Sequence, residues 1–282
     1  MNPLHRWLIL APASLLCFSL SPLPILSSLS ANAQTSEDRR VEANRFAKEA
    51  RKQFIAKAET EVRQLMQQAE QQQKAKQFRE ALATYRQALK QAEQSSAPAI
   101  ESTILQKIGD LHKQQQQTTE AMEAYQQALA IRKALKQPSR AGFVLLSIAS
   151  LQKDTKQHAR VLESYREALA LFKLAQDKRG ESLSLFGMGA AYRKLKQADQ
   201  ALSFYQQSLT VAQDIPEKAF WEARVLNAMG NVYTDQKQYA QALELYQKAL
   251  AIAKTLPEPE IEAQILNNIG KLQKKKLNTP KR

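Results

Sequence analysis

Few residues in this chain combine the types and spacings that covalent chemistry needs. His5, His112 and His158 are far apart, so no metal-ligand spacing is present and no cofactor is implied. There is no Gly-rich phosphate loop, no nucleophile elbow, and no Ser and His that can be ordered into a triad. Carboxylates cluster at Glu258, Glu260 and Glu262 around Pro259, where the dipole of a starting helix accounts for them. Recognition chemistry is better represented. Asn227 and Asn231 are one helical turn apart, and Asn267 stands forty residues beyond the first. A carboxamide both donates and accepts, so it can pair with a peptide group whatever side chain that residue carries. The plainer alternative is an Asn tolerated on a solvated helix face, although Asn is not favoured in helix interiors. Phe143 with Leu146, and Leu183 with Phe186, are two apolar pairs forty residues apart. Exposed together they would make a contact patch; turned by one position they would pack against neighbouring helices. Lys113, Lys153, Arg193, Thr234 and Lys274 form a further series. Such a row of cations would favour an acidic ligand, but cations near helix C-termini also suit the helix dipole.

These residues must be positioned by a repeating element. Tyr85, Tyr125, Tyr165, Tyr205 and Tyr246 are spaced by 40, 40, 40 and 41 residues. A small residue and a Leu follow each, as in Ala88-Leu89 and Ala128-Leu129, and a small or branched residue (Ala81, Ala121, Val161, Ala201, Ala242) precedes each by four. That is one packing face of a helix. Sixteen residues upstream of the tyrosines lies a second marker, at Ala69, Gly109, Ala149, Gly189 and Gly230, with Gly270 continuing the phase. Gly within a helix costs about 1 kcal/mol relative to Ala, so its recurrence points to another helix crossing close to the backbone. Each unit therefore reads as an antiparallel helix pair. First helices are expected at about 62–74, 100–115, 140–154, 180–195, 219–234 and 259–275, and second helices at about 77–95, 117–136, 157–176, 197–213 and 237–255. The final first helix has no partner and reads as a terminal cap.

The pattern Leu-x2-hydrophobic-Gly/Ala-x2-Tyr followed by Ala-x3-Tyr-x2-Ala, seen best from Arg224 to Leu250, resembles the tetratricopeptide repeat. The likeness covers roughly residues 62–275 and is similar to the long repeats of kinesin light chains. It departs from the family in its 40-residue period, against the usual 34, and in its prolines. Pro98, Pro138, Pro216 and Pro257 fall late, as if each second helix ran a turn longer. The resemblance implies an all-α, right-handed superhelical solenoid of antiparallel helix pairs, with a concave groove lined by the first helices. It implies that Asn227, Asn231, Asn267 and Lys271 lie in that groove, the asparagines holding the backbone of an extended peptide. Phe143, Leu146, Leu183 and Phe186 would lie in it too.

The ends differ in character. Residues 1–33 carry a weakly basic start, an apolar run from Trp7 to Leu20 and the closing triplet Ala31-Asn32-Ala33, which reads as a signal peptide cleaved after Ala33. An uncleaved anchor is the alternative, but a spanning helix needs roughly 20 apolar residues, and Pro12, Pro22 and Pro24 interrupt this run. Cys17, the single cysteine, would leave with the leader, and Leu16 before it does not suit lipidation. Residues 34–61 read as a charged helix with Thr35 and Asp38 as a capping box, residues 62–275 as five repeats plus the cap, and residues 276–282 as a basic tail. Of the net charge of +14, six units fall within Lys271–Arg282.

The expectation is an exported, periplasmic or secreted, non-catalytic scaffold that binds a protein or peptide partner, acidic if the cation row takes part. Export leaves nucleic acid without a role, and membrane contact would rest on the tail alone. The alternative is an envelope-associated structural or self-assembling protein that docks through the basic tail and convex face.

Overall fold

Ala, Gln, Leu, Lys and Glu dominate the sequence, and all are good helix formers. A computed structural model describes residues 36–155 and 157–277, and those residues are helical apart from short turns. Eleven helices run in order: α1 (Ser36–Lys74), α2 (Phe78–Gln94), α3 (Pro98–Gln114), α4 (Thr118–Ala134), α5 (Pro138–Asp154), α6 (His158–Leu174), α7 (Lys178–Lys194), α8 (Ala198–Ala212), α9 (Lys218–Asp235), α10 (Tyr239–Ala253) and α11 (Pro259–Leu277). The chain divides into two units, residues 1–57 and 58–282. In the first, α1 is largely exposed, with Val41 and Phe46 open to solvent. The second is an all-α solenoid in which each helix packs on the next.

The forty-residue period has a simple origin. Helices α2 to α7 are each 17 residues long, and the three-residue turns between them complete the unit. The turns share one backbone design. Ser96, Gln116, Lys136, Gln176 and Lys196 adopt positive φ of 52–60°. After each, an amide reaches back five residues, as Ala97 N to Ala92 O at 3.0 Å and Gln137 N to Arg132 O at 3.0 Å. This is the Schellman closure, usually built on Gly; here Lys, Gln and Ser occupy the left-handed position.

The glycines are used elsewhere. A Cβ added at Gly109, Gly189 or Gly230 would fall 2.6–2.7 Å from the ring of Tyr125, Tyr205 or Tyr246, respectively. Missing side chains thus let the next helix seat its tyrosine on the backbone. Tyr85, Tyr125, Tyr205 and Tyr246 are among the largest fully buried side chains. Each aromatic buries roughly 150–250 Å², worth several kcal/mol at about 25 cal/mol per Å². In the third unit Ala149 fills the slot, and the ring of Tyr165 lies instead on Gly187 of the following helix. At Gly270 there is nothing within 4 Å, because no second helix follows α11 among the described residues.

Successive first helices also touch one another, α3 on α5, α5 on α7, α7 on α9 and α9 on α11, whereas α4, α6, α8 and α10 make no comparable mutual contact. The first helices therefore form the inner layer, which is the face any groove must use.

One expectation is corrected. No break separates a charged helix from the first repeat, since α1 runs unbroken from Ser36 to Lys74; the stretch contains neither Gly nor Pro. Pro98 and Pro138 stand at the first turn of α3 and α5, where a missing N–H costs nothing. The signal peptide, its cleavage point, the Thr35–Asp38 cap and residues 278–282 of the tail lie outside what is described.

Candidate binding groove

Polar side chains tie the inner layer together at one register. Gln73 donates to Gln114 at 2.7 Å, Gln106 to Ser147 at 3.1 Å, and Asn268 to Asn227 at 2.9 Å, each pair 41 residues apart. Ion pairs add to this: Lys107–Glu70 at 2.7 Å, Lys113–Asp154 at 3.3 Å and Arg193–Asp235 at 3.6 Å. These pairs are partly exposed, so each contributes at most about 1 kcal/mol. Between the first two pairs they surround a polar cleft of about 370 Å³ lined by Gln73, Lys107, Asp110, Lys113 and Gln114. Asp110 accepts the Tyr125 hydroxyl at 2.6 Å. Burial raises its carboxyl pKa, against the lowering influence of that bond, Lys107 and Lys113.

Of the cation row, Lys113 and Arg193 are engaged with Asp154 and Asp235, and Thr234 meets the Tyr246 hydroxyl at 3.0 Å. Lys153 and Lys274 are exposed. The asparagines divide as well. Asn227 is buried, its carbonyl oxygen occupied by Asn268. Asn231 is half-buried and accepts the Tyr246 hydroxyl at 2.9 Å. Asn267 and Lys271 are exposed on α11. All four sit on first helices, but the carbonyl ends of the first two already serve the fold.

The apolar residues fall into two groups. Phe143 is 37% exposed and stands edge-on to Phe172 at 5.0 Å, and Leu146 packs half-buried in the cluster containing Phe172. Leu183 and Phe186 are also half-buried, against Ile215 and Trp221.

Beside this second group is a residue that the sequence reading passed over. The Arg224 guanidinium lies 4.9 Å from the Phe186 ring centre, 5.1 Å from Trp221 and 5.4 Å from Phe220. Such cation–π contacts are worth roughly 0.5–2 kcal/mol each. No carboxylate among the described residues forms an ion pair with it, and burial alone lowers its pKa. Arg nonetheless stays charged. The side chain is therefore a half-buried cation with its fork of donors not ion-paired to an acid among the described residues. Arg224 occupies the repeat position held by Phe143 and Leu183 in earlier units, and that shared phase was the signal available for it.

Among the described residues, no three His, Cys, Asp or Glu are grouped to hold a metal, and no helix is long and apolar enough to cross a membrane.

A tetratricopeptide repeat family model matches residues 61–134 and 221–279, and a second model of the same description matches 184–219. Together they cover more than half of the chain. Curated proteins return no match. Among solved structures, BtubC (BKLC) from P. vanneervenii is 20% identical with a TM-score of 0.63, over 80% of this chain and 95% of that one. Apo RapI is 19% identical at a TM-score of 0.62, over 77% and 85%. Kinesin light chain nearly identical TPR-like repeats from Podosopora anserina are 17% identical at 0.57, over 70% and 98%. At such identities the likeness is one of fold.

Proposed function

This chain belongs to the tetratricopeptide-repeat family, and on that premise we propose that it is a non-catalytic scaffold, exported after cleavage at Ala33, that holds an extended segment of a protein partner along its inner helix layer. The observation that carries the reading is Arg224. A guanidinium kept in place by three aromatic faces, and not ion-paired to an acid among the described residues, matches a carboxylate brought by a ligand. The planar fork suits two-pronged pairing with a carboxylate, and the partly desolvated setting strengthens that pairing relative to open water.

The neighbouring groups fit the same role. Leu183 and Phe186 offer half-buried apolar surface next to the cation, suited to the aliphatic side chain beside an acidic residue. Asn231 keeps its amide N–H donors for a ligand's carbonyl, and Asn267 and Lys271 extend the polar track onto α11. The expected partner is therefore an acidic, partly apolar segment in extended form. Its main chain meets carboxamides, and its carboxylate meets Arg224.

The test is capture of envelope proteins on the immobilised full chain, compared with an Arg224→Gln variant that keeps size and polarity but loses charge. Loss of specific partners from the variant supports the reading. Identical captures by both would sink it. An Arg224→Lys variant separates fork geometry from charge alone, and should retain only part of the binding.

A further inference from the structure

Two neighbouring turns gather positive charge that the turns on either side do not share. Consecutive helices run antiparallel, so the α4–α5 and α6–α7 turns lie on one edge of the solenoid. Ser139 at the start of α5 donates to Asp177 at the cap of α7 at 2.6 Å, which ties the two turns side by side. Residues 131–141 and 171–181 contain seven cations, and only Asp177 and Glu181 as acids. Both acids are already engaged: Asp177 also accepts the Gly180 N–H at 2.9 Å, and Glu181 is buried and pairs with Lys178 at 3.3 Å. Lys133 is paired with Glu167 at 2.6 Å. Lys136, Arg140, Lys173 and Arg179 are exposed, and no ion pair joins them to an acid among the described residues. Arg132 is buried, bonded to Gln137 and Thr103 at 2.6 Å each, and its pKa is lowered by burial and then by the like charge of Arg140. The flanking turns have the opposite balance. Glu93 and Glu101 outnumber Lys90 around α2–α3, and Asp214, Glu217 and Glu222 outnumber Lys218 around α8–α9.

The apolar residue among these cations identifies what they meet. Leu174 ends α6, directly after Lys173, and is 74% exposed, the highest value among the large hydrophobic residues with described burial. An acidic protein segment would match the charges but gives no account of a leucine held out in water. A bilayer surface accounts for both. Long Lys and Arg side chains reach lipid phosphates while their stems cover apolar surface, and a projecting leucine enters the boundary between headgroups and acyl chains. Turn tips on an edge are also what a broad, flat surface touches first. We infer that this edge is a peripheral membrane-docking surface, on which Lys136, Arg140, Lys173 and Arg179 meet the phosphates of anionic lipids and Leu174 enters the interface. The surface does not include Arg224 and does not depend on the groove reading.

The experiment is flotation of the chain recovered after export with lipid vesicles, at low and moderate salt. One set of vesicles is phosphatidylcholine alone; the other holds equal parts of phosphatidylcholine and phosphatidylglycerol. The chain should float with the anionic set only, and less at moderate salt, where screening is stronger. Arg140→Glu/Arg179→Glu should weaken that binding at least about tenfold, since each cation near an anionic surface contributes. Both positions lie in the first turn of a helix, where an acid suits the dipole, so folding should be kept; circular dichroism checks this. Leu174→Ser should weaken binding several-fold while leaving its salt dependence unchanged. Lys274→Gln/Lys276→Gln, on α11, should bind as the wild type does. A chain that ignores anionic vesicles overturns the inference, and its retention on immobilised polyglutamate would then give the edge to an acidic protein. Equal flotation of the wild type and Arg140→Glu/Arg179→Glu, or loss of flotation with the α11 variant alone, overturns it as well.

Discussion

Replacing glycine by alanine should have opposite effects at two positions that look equivalent in the repeat. At Gly109 an added Cβ would sit 2.6 Å from Cε1 of Tyr125, where ordinary contact begins at 3.4 Å. The ring cannot easily withdraw, because it is fully buried and its hydroxyl is bound to Asp110 at 2.6 Å. Overpacking of this kind costs about 1–3 kcal/mol, while the better helix propensity of Ala returns about 1 kcal/mol. The net expectation for Gly109→Ala is a loss of roughly 1 kcal/mol. At Gly270 nothing is in the way, so the same substitution should gain about 1 kcal/mol. The assay is urea unfolding followed by far-UV circular dichroism. Midpoints should move in opposite directions with little change in slope. A cycle with Tyr125→Leu supplies the control: once the ring is gone, Gly109→Ala should no longer destabilise. If Gly109→Ala raises the midpoint as much as Gly270→Ala does, the ring-on-glycine account of the helix pairs is wrong.

Other outcomes follow from the same structure. Lys136→Gly relieves a left-handed non-glycine turn, φ 52°, and should stabilise by about 1 kcal/mol in the same urea assay. Arg224→Met removes a half-buried cation while keeping apolar contact with Phe186, Phe220 and Trp221; stability should change by less than about 1 kcal/mol, while capture of acidic partners is lost. Tyr85 and Tyr205 have hydroxyl pKa values pushed up from 10.0 to about 12, in each case chiefly by burial. The folded state therefore holds these protons more tightly than the unfolded chain. Their contribution is complete below pH 10 and should fade between pH 10 and about 12, so tyrosinate absorbance should rise together with loss of helical signal.

The helix pairs were legible because their markers are residue types that cannot be exchanged freely: large tyrosines at a fixed interval, and glycines where those rings must fit. The turns were not legible in detail, since Lys136, Gln116 and Ser96 are residues that no rule assigns to a left-handed position. Pro98 and Pro138 were read as delayed helix ends because proline both stops and starts helices; only the backbone shows which. Asn227 illustrates the limit for the groove. Its phase points to Asn267, but the stagger of adjacent inner helices brings Asn268 to it instead, an offset of one residue that sequence periodicity does not contain. Arg224 was missed for a related reason. Its neighbours Phe220 and Trp221 belong to its own helix, but Phe186 comes from the previous unit, and only packing gathers the three aromatics around one cation.

The central claim is that the inner layer takes an acidic segment at Arg224, and selection from a random-peptide display library on the immobilised protein tests it most directly. The account predicts enriched peptides that place Asp, Glu or a terminal carboxylate beside an aliphatic residue, and that bind Arg224→Gln at least about tenfold more weakly in fluorescence anisotropy. Enriched peptides without an acid, binding the wild type and Arg224→Gln equally, would contradict it.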